Sequence, residues 1–545
     1  MSRIVTIDGC GLSKSRPSVV RATLSSVDLD KKTKHQYVRT FFIRDDTAAV
    51  DSVLAPDASE IVASQISPTG KLLAVLREIA DSSSPGQKKR LVEVWSGDRL
   101  VASEDVTSRH EGFYADGGII LSSCGFLVLT LCHIEYLSSI SFSPSENKLV
   151  YTAEAKAPEF ADDESLLKYR FTPPLGESYG EKKRPTIFLF DWGTSENGST
   201  SVVQLGLEQD PSAPVAFGNP VFASENKLLA VGFEHEKNGR LLGIIYCPSR
   251  RAGIWELSLP SIEASDNILH CTITKVTPAN RSCRSPRVFH RSTGASLVVY
   301  VSNAPGGPHA SCVTLNVRDL DSGNERVLVD PVWDPKHSKF PGLYTTTLPA
   351  YPFLEVSGMP YIVLTSTWRS RSTAILVSLH DGSWTDLSPN DDGLFYTWTV
   401  LGTDGNDQII CTRSAPARPS ELVLGKLAAN EQVQWRVVAQ PDLGEDRERD
   451  SSSHLQRKLA CSCAQTLLTV KQRLAKLTTS VLPVPDRFPL ETIVVRGEND
   501  ASAPCITQVH GGPHSVSLSM FSAFVAAFAL EGCRCIALSV FNPPY

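Results

Sequence analysis

From Ile61 to about Leu424 the chain repeats one pattern: a polar turn, then a short apolar run, then another turn. Residues 72–76, 91–95, 149–152, 186–191, 228–231 and 297–301 are such runs. Each is too short for a helix and rich in β-branched and aromatic side chains, so each reads as a buried strand. Several follow turns of one kind: Ser67-Pro68-Thr69-Gly70, Ser143-Pro144-Ser145-Glu146-Asn147, the looser Ala223-Ser224-Glu225-Asn226, and Ser285-Pro286-Arg287. Turn and strand alternating at a long, irregular period is the sequence form of propeller blades. A set of unrelated hairpins is the less economical account of so long an all-β run. Ahead of it, Tyr37-Val38-Arg39-Thr40-Phe41-Phe42-Ile43 has strand composition in a stretch that is otherwise hard to place.

The pattern changes near the end of the chain. Residues 442–450 are polar and charge-rich, and three serines follow, as in a linker or exposed loop. Leu455, Leu459, Cys463, Leu467, Val470, Leu474 and Leu477 then fall at helical spacing. Ile493-Val494-Val495 resumes strand character. Cys505-Ile506-Thr507-Gln508-Val509 reads as a buried strand, followed by the turn His510-Gly511-Gly512-Pro513-His514. Phe521, Phe524, Val525, Phe528 and Ala529 make one apolar helical stripe. Gly532 stands where a helix C′ residue belongs, and residues 533–538 read as a second buried strand. Strand, glycine-rich turn, helix and strand open a parallel α/β sheet. In α/β-hydrolases an HGG-type turn at this place lends a backbone N–H to the oxyanion hole. The alternative is a plain strand-to-helix turn.

The expected fold is mainly β: an N-terminal β-propeller, then the first strands and helix of an α/β-hydrolase domain. The expected divisions are an N-terminal arm at 1–58, the propeller at 59–440, a linker or hinge at 441–487, and an incomplete hydrolase domain at 488–545.

Composition narrows the function. A hydrophobic fraction of 41% and a charged fraction of 21% are those of a globular protein. A net charge of −6 gives no electrostatic case for nucleic acid or an anionic membrane as partner. Thirteen cysteines without zinc-type spacing, and no apolar run at the start, fit reduced thiols in the cytoplasm. The apolar stretch 118–131 is too short and interrupted for a spanning helix and reads as two buried strands.

The HGGP turn and several upstream stretches together resemble the acylaminoacyl-peptidases of the prolyl oligopeptidase family. Those upstream stretches are Val75-Leu76-Arg77 with Val92-Glu93-Val94-Trp95, Gly232-Phe233-Glu234-His235-Glu236, Tyr246-Cys247-Pro248-Ser249-Arg250-Arg251, Phe340-Pro341-Gly342-Leu343-Tyr344, and Ser366 with Arg369-Ser370-Arg371. The resemblance lapses in the apolar stretch 118–131, which looks like extra sequence inside a blade. It implies a seven-bladed propeller and a serine-type hydrolase that releases an N-acylated amino acid from blocked peptides. It implies no cofactor and no metal, with short N-acylated peptides as partners and a homo-oligomer left open. It carries over one site residue, Gly512, as an oxyanion donor, with His510, Gly511 and Pro513 shaping the turn.

No Gly-x-Ser-x-Gly occurs in the 545 residues, so no catalytic residue is assigned; the Ser, Asp and His are expected beyond Tyr545. These residues alone are accordingly expected to be inactive. The family's next segment continues as Asn-Tyr-Arg-Gly, whereas residues 539–545 depart from it, as in an altered or truncated C-terminus. Related dipeptidyl peptidases hold a free amine with a Glu-Glu pair; no Glu-Glu occurs here, which favours a blocked substrate. The competing reading is a propeller-based binding protein without catalysis.

Three local features have simpler explanations than function. Pro305-Gly306-Gly307-Pro308-His309 copies the terminal motif between strand patterns and reads as a hairpin loop. Residues 87–90 and 181–184 are short basic runs that read as solvated turns. His235, flanked by two glutamates, reads as structural, because alternation along a strand points it away from both.

Overall fold

The apolar runs form strands, and the strands come in fours. The structure, a computed structural model, describes residues 3–12, 18–28, 33–44, 47–50, 58–114, 136–156, 174–176, 179–193, 200–210, 213–260, 267–291, 296–333, 340–389, 393–440, 470–484, 490–497, 503–509 and 516–539. The expected insertion at 118–131 and linker at 442–450 lie outside them.

Ahead of residue 440 the sheets are antiparallel meanders of four strands, spanning 3–50, 61–105, 282–329, 353–386 and 397–439. The eight-stranded sheet over 140–275 is two further meanders, 140–207 and 215–275. They are joined by the parallel pairing of Ser201–Leu207 with Ile268–Lys275. Together these are seven blades among the described residues.

The side-chain alternation shows how the blades pack. In the strand Lys148–Glu154, Leu149 and Tyr151 face the second blade with Leu76, Val92 and Val94. Val150 points the other way, among Phe217, Leu228 and Leu257 of the fourth blade. The same split recurs in Ser296–Asn303, where Val298 and Tyr300 meet the fourth blade and Val299 and Val301 meet the sixth. A strand buried on both faces has no polar side to show, so these runs are continuously apolar instead of alternating.

Residues 3–50, within the expected arm at 1–58, form a four-stranded sheet. Val20, Ala22, Leu24, Phe41 and Ile43 pack against Ile410, Leu422 and Leu424 of the seventh blade. This sheet therefore joins the ring and closes it, covering a face of the last blade that would otherwise be wet.

The Ser-Glu-Asn tripeptide shared by two turns has a physical reason. Glu146 reaches back to the second blade, accepting from Thr69 N–H at 2.6 Å, Thr69 Oγ1 at 2.7 Å and Ser67 Oγ at 2.9 Å. Glu225 of the fourth blade accepts in the same way from Ser145 N–H at 2.5 Å. Each carboxylate thus caps the turn of the preceding blade. Glu146 does so from a left-handed backbone, φ +54. Replacing Glu146 by Ala is expected to lower stability by about 1–2 kcal/mol, discounted for the partly exposed site. Urea denaturation of the two proteins measures it.

The basic run at 87–90 corrects the expectation of a solvated turn. Lys88–Ser96 is a strand, and its cations pair across the hairpin: Lys88 with Glu78 at 2.9 Å, Arg90 with Glu78 at 3.5 Å, Lys89 with Asp81 at 3.7 Å. Lys182, in the second run, pairs with Glu154 at 2.7 Å. His235 is held at Nδ1 by the carbonyl of Pro214 at 2.8 Å, a structural role. Residues 304–313 form the hairpin loop between Ser296–Asn303 and Thr314–Asp319. In it Gly306 N–H donates to the carbonyl of Ser249, and His309 Nδ1 lies 2.5 Å from Ser249 Oγ. Burial pushes the thiols of Cys271, Cys283 and Cys312 up to about 11, so they stay protonated and unreactive at neutral pH. No helix among the described residues is long and apolar enough to cross a membrane.

Candidate functional site

The C-terminal sheet runs in the order Thr478–Pro483, Glu491–Arg496, Arg534–Ser539, Cys505–Gln508. The first two pairings are antiparallel. The last, Cys505 to Arg534 through Gln508 to Ala537, is parallel. A parallel pair needs a crossover, and the helix Ala523–Leu530 supplies it. Ser522 caps this helix, its side chain accepting from Val525 N–H, and Gly532 follows Glu531 with φ +87. Gly532 is the C′ residue the sequence indicated.

The helix packs differently from the expected stripe. All eight of its residues are apolar, and the seam it buries is made of Ala526 and Ala529. These small side chains bring it close to Ile493, Val495 and Cys535 of the sheet. Phe521, Val525 and Phe528 are part-buried around that seam, and Phe524 is 44% exposed. The strand Cys505–Gln508 is also less buried than expected. It is an edge strand, with Cys505 and Thr507 exposed, and the following Val509 is 70% exposed. Of the amphipathic helix expected over 455–477, residues 470–475 are helical among those described, with Leu474 and Leu477 buried in the same core.

His510, Gly511, Gly512 and Pro513 lie outside the described residues. The described residues on either side of them are anchored. Upstream, Gln508 is registered in the sheet opposite Ala537. Downstream, Ser519 is 1% exposed and anchored on the propeller. Its N–H donates to the carbonyl of Ser370 at 2.7 Å and its Oγ to the carbonyl of Phe395 at 2.8 Å, with Thr397 Oγ1 at 3.3 Å. Phe521 N–H donates to Ser414 Oγ at 3.3 Å.

The sheet grips the propeller a second time. Glu491 Oε2 accepts from Ser370 Oγ at 2.5 Å and Ser370 N–H at 3.1 Å, and Arg369 Nη1 lies 3.5 Å from its other oxygen. Arg369 and Ser370 are the two-residue turn between Met359–Trp368 and Arg371–Ser378. Nearby, Arg413 pairs with Glu421 at 3.0 Å and lies over the rings of Tyr396 and Trp398. The sequence singled out Arg369-Ser370-Arg371 only as family wording. It gave no signal for Glu491 or Ser519, because their partners lie more than a hundred residues away.

Comparison with known proteins agrees with this architecture. Residues 6–448 match the family described as "Acylamino-acid-releasing enzyme, N-terminal domain". Among curated relatives, the acylamino-acid-releasing enzyme of Arabidopsis thaliana is 25% identical over 504 residues, covering 86% of this chain and 60% of its own. That of Mus musculus is 25% identical, covering 93% of this chain and 65% of its own. The chain thus spans roughly half to two thirds of the length of the curated relatives it matches. Two solved structures share the fold at 12% identity and a TM-score of 0.54. They are the acylaminoacyl peptidase of Pyrococcus horikoshii, covering 97% of this chain and 64% of its own, and prolyl oligopeptidase B of Galerina marginata, covering 99% and 62%. With the family matched across all seven blades, this chain belongs to the acylamino-acid-releasing enzymes.

Proposed function

We propose that the chain contributes the propeller and the first oxyanion donor of a serine-type acylaminoacyl-peptidase, and that these 545 residues alone do not catalyse. One observation carries the reading. The family match over 6–448 is followed by a strand, helix and parallel strand, and His510-Gly511-Gly512-Pro513 falls in sequence between that strand and the helix. In acyl transfer of this type a serine attacks the carbonyl after the blocked residue, a histidine takes its proton, and an aspartate orients the histidine. The developing oxyanion is held by backbone N–H groups, and Gly512 supplies one of them. A glycine is needed there because the chain must pass close to the substrate.

The absence of a Glu-Glu pair supports a blocked N-terminus as the substrate feature. A free amine would need a buried carboxylate partner, whereas an acylated one would leave that carboxylate uncompensated.

The second half of the proposal has its own test. The 545-residue chain is expected neither to label with a fluorophosphonate serine probe nor to hydrolyse acetyl-alanine p-nitroanilide above the rate in buffer. Stoichiometric labelling at one serine overturns it and would place the nucleophile inside this chain.

A further inference from the structure

We propose that Ser370, at the tip of the sixth-blade hairpin, is a positioning residue that locks the propeller to both the second strand of the C-terminal sheet and the segment entering the helix Ala523–Leu530. The inference rests on the functional reading above for its consequence, but its geometry is independent of it. All three polar groups of Ser370 are engaged by the C-terminal unit. Its N–H and Oγ donate to Glu491 of the strand Glu491–Arg496, and its carbonyl accepts from Ser519 N–H. The hairpin tip therefore bridges the second strand of the sheet to the segment that leads into the helix. Ser519 follows Gly512 by seven residues and precedes the helix cap Ser522 by three. Gln508 is held by the sheet register and Ser519 by the propeller.

A second observation points the same way. Two non-glycine residues at the contact, Arg369 with φ +59 and Phe395 with φ +55, hold left-handed backbone conformations. Such conformations persist where the surroundings over-determine them. Here one presents Ser370 to Glu491, and the other turns its carbonyl toward Ser519. Burial agrees: Ser370 is 4% exposed and Ser519 1%. A contact between independently moving bodies would leave such groups to water.

The test is amide hydrogen exchange on the full chain and two variants. Glu491→Ala releases the hairpin tip and is expected to raise exchange of the amides of Ser519 and Phe521 about tenfold. Amides of the third-blade strand Lys148–Glu154 should change less than twofold. Glu491→Gln keeps an oxygen for both Ser370 donors and is expected to stay within threefold of the unmodified chain. Unchanged exchange at Ser519 in the Ala variant overturns the proposal. So does an equal rise in the third blade, or a Gln variant as labile as the Ala one. Failure of the functional reading would leave these exchange rates as expected, so the two outcomes are distinguishable.

Discussion

Replacing Arg284 by Ala is expected to lower stability by about 3–5 kcal/mol, enough to consume much of the roughly 5–15 kcal/mol that keeps a domain folded. Arg284 is 5% exposed. Its Nε donates to the carbonyl of Thr346 at 2.8 Å, and its Nη1 to Asn303 Oδ1 at 2.6 Å and to the carbonyl of Pro248 at 3.3 Å. Its Nη2 donates to the carbonyl of Thr345 at 3.4 Å. Burial holds its pKa down to about 10, which still leaves it charged at neutral pH. One guanidinium therefore ties a loop within the fourth blade, the fifth blade and the approach to the sixth. The truncated side chain would leave Asn303 Oδ1, in a buried contact, and the part-buried carbonyls at 345 and 346 without this donor, at up to about 1–3 kcal/mol each, beside an empty volume. Arg284→Lys keeps the charge but not the fork, so it should recover only part of the loss. The urea midpoints of the three proteins decide the matter. An Ala variant within 1 kcal/mol of the parent, on the order of experimental noise, contradicts this account of the seam.

The second large effect is a loss of stability in mild acid through His110. The ring is 1% exposed and packed among Phe113, Tyr151 and Phe188, with centroids at 5.0, 5.6 and 4.8 Å. Nδ1 lies 2.7 Å from the carbonyl of Glu111 and Nε2 3.1 Å from the hydroxyl of Tyr151. A carbonyl can only accept, so the neutral ring carries its proton on Nδ1 and accepts from Tyr151 at Nε2. Burial pushes the pKa down from 6.5 to about 4. Between these values the unfolded chain binds the proton and the folded one does not, so stability is whole above pH 6.5 and falls as pH drops toward 4. The full difference is on the order of 3 kcal/mol. Denaturation at pH 7 and pH 4.5 should show a slope that His110→Gln removes, carboxylates being common to both proteins. Equal slopes would mean that His110 does not carry it.

Much of the propeller is legible in the sequence because both faces of its strands are buried. Runs such as Ile187 to Phe190 are continuously apolar, and turns separate them. The first blade escapes that reading. Its strand Ser18–Asp28 alternates, with Val20, Ala22 and Leu24 inward and Arg21 and Thr23 between them, and it lacks the turn motif. Its partners, Ile410 to Leu424, lie at the far end of the ring, a closure no local window can see. The C-terminal helix was legible as a helix but not as a packing surface. In a segment where every residue is apolar, periodicity does not choose a face, and the choice of Ala526 and Ala529 comes from how closely the sheet approaches. The basic run at 87–90 escaped the reading for a related reason. A lysine in a turn and a lysine paired across a hairpin look alike until Glu78 is placed opposite. Glu491 and Ser519 had no sequence signature, since what defines them is the geometry of two bodies meeting.

The most direct test of the functional reading is cleavage by the native protein that contains these 545 residues. Two versions of one short peptide would be compared, one beginning with N-acetyl-alanine and one with free alanine. The account predicts release of acetyl-alanine from the first, with the free-amine peptide cut at least about tenfold more slowly, because the sequence carries no Glu-Glu pair of the kind that holds a charged amine. Equal cleavage of both peptides, preference for the free amine, or no cleavage of the acetylated one would contradict it.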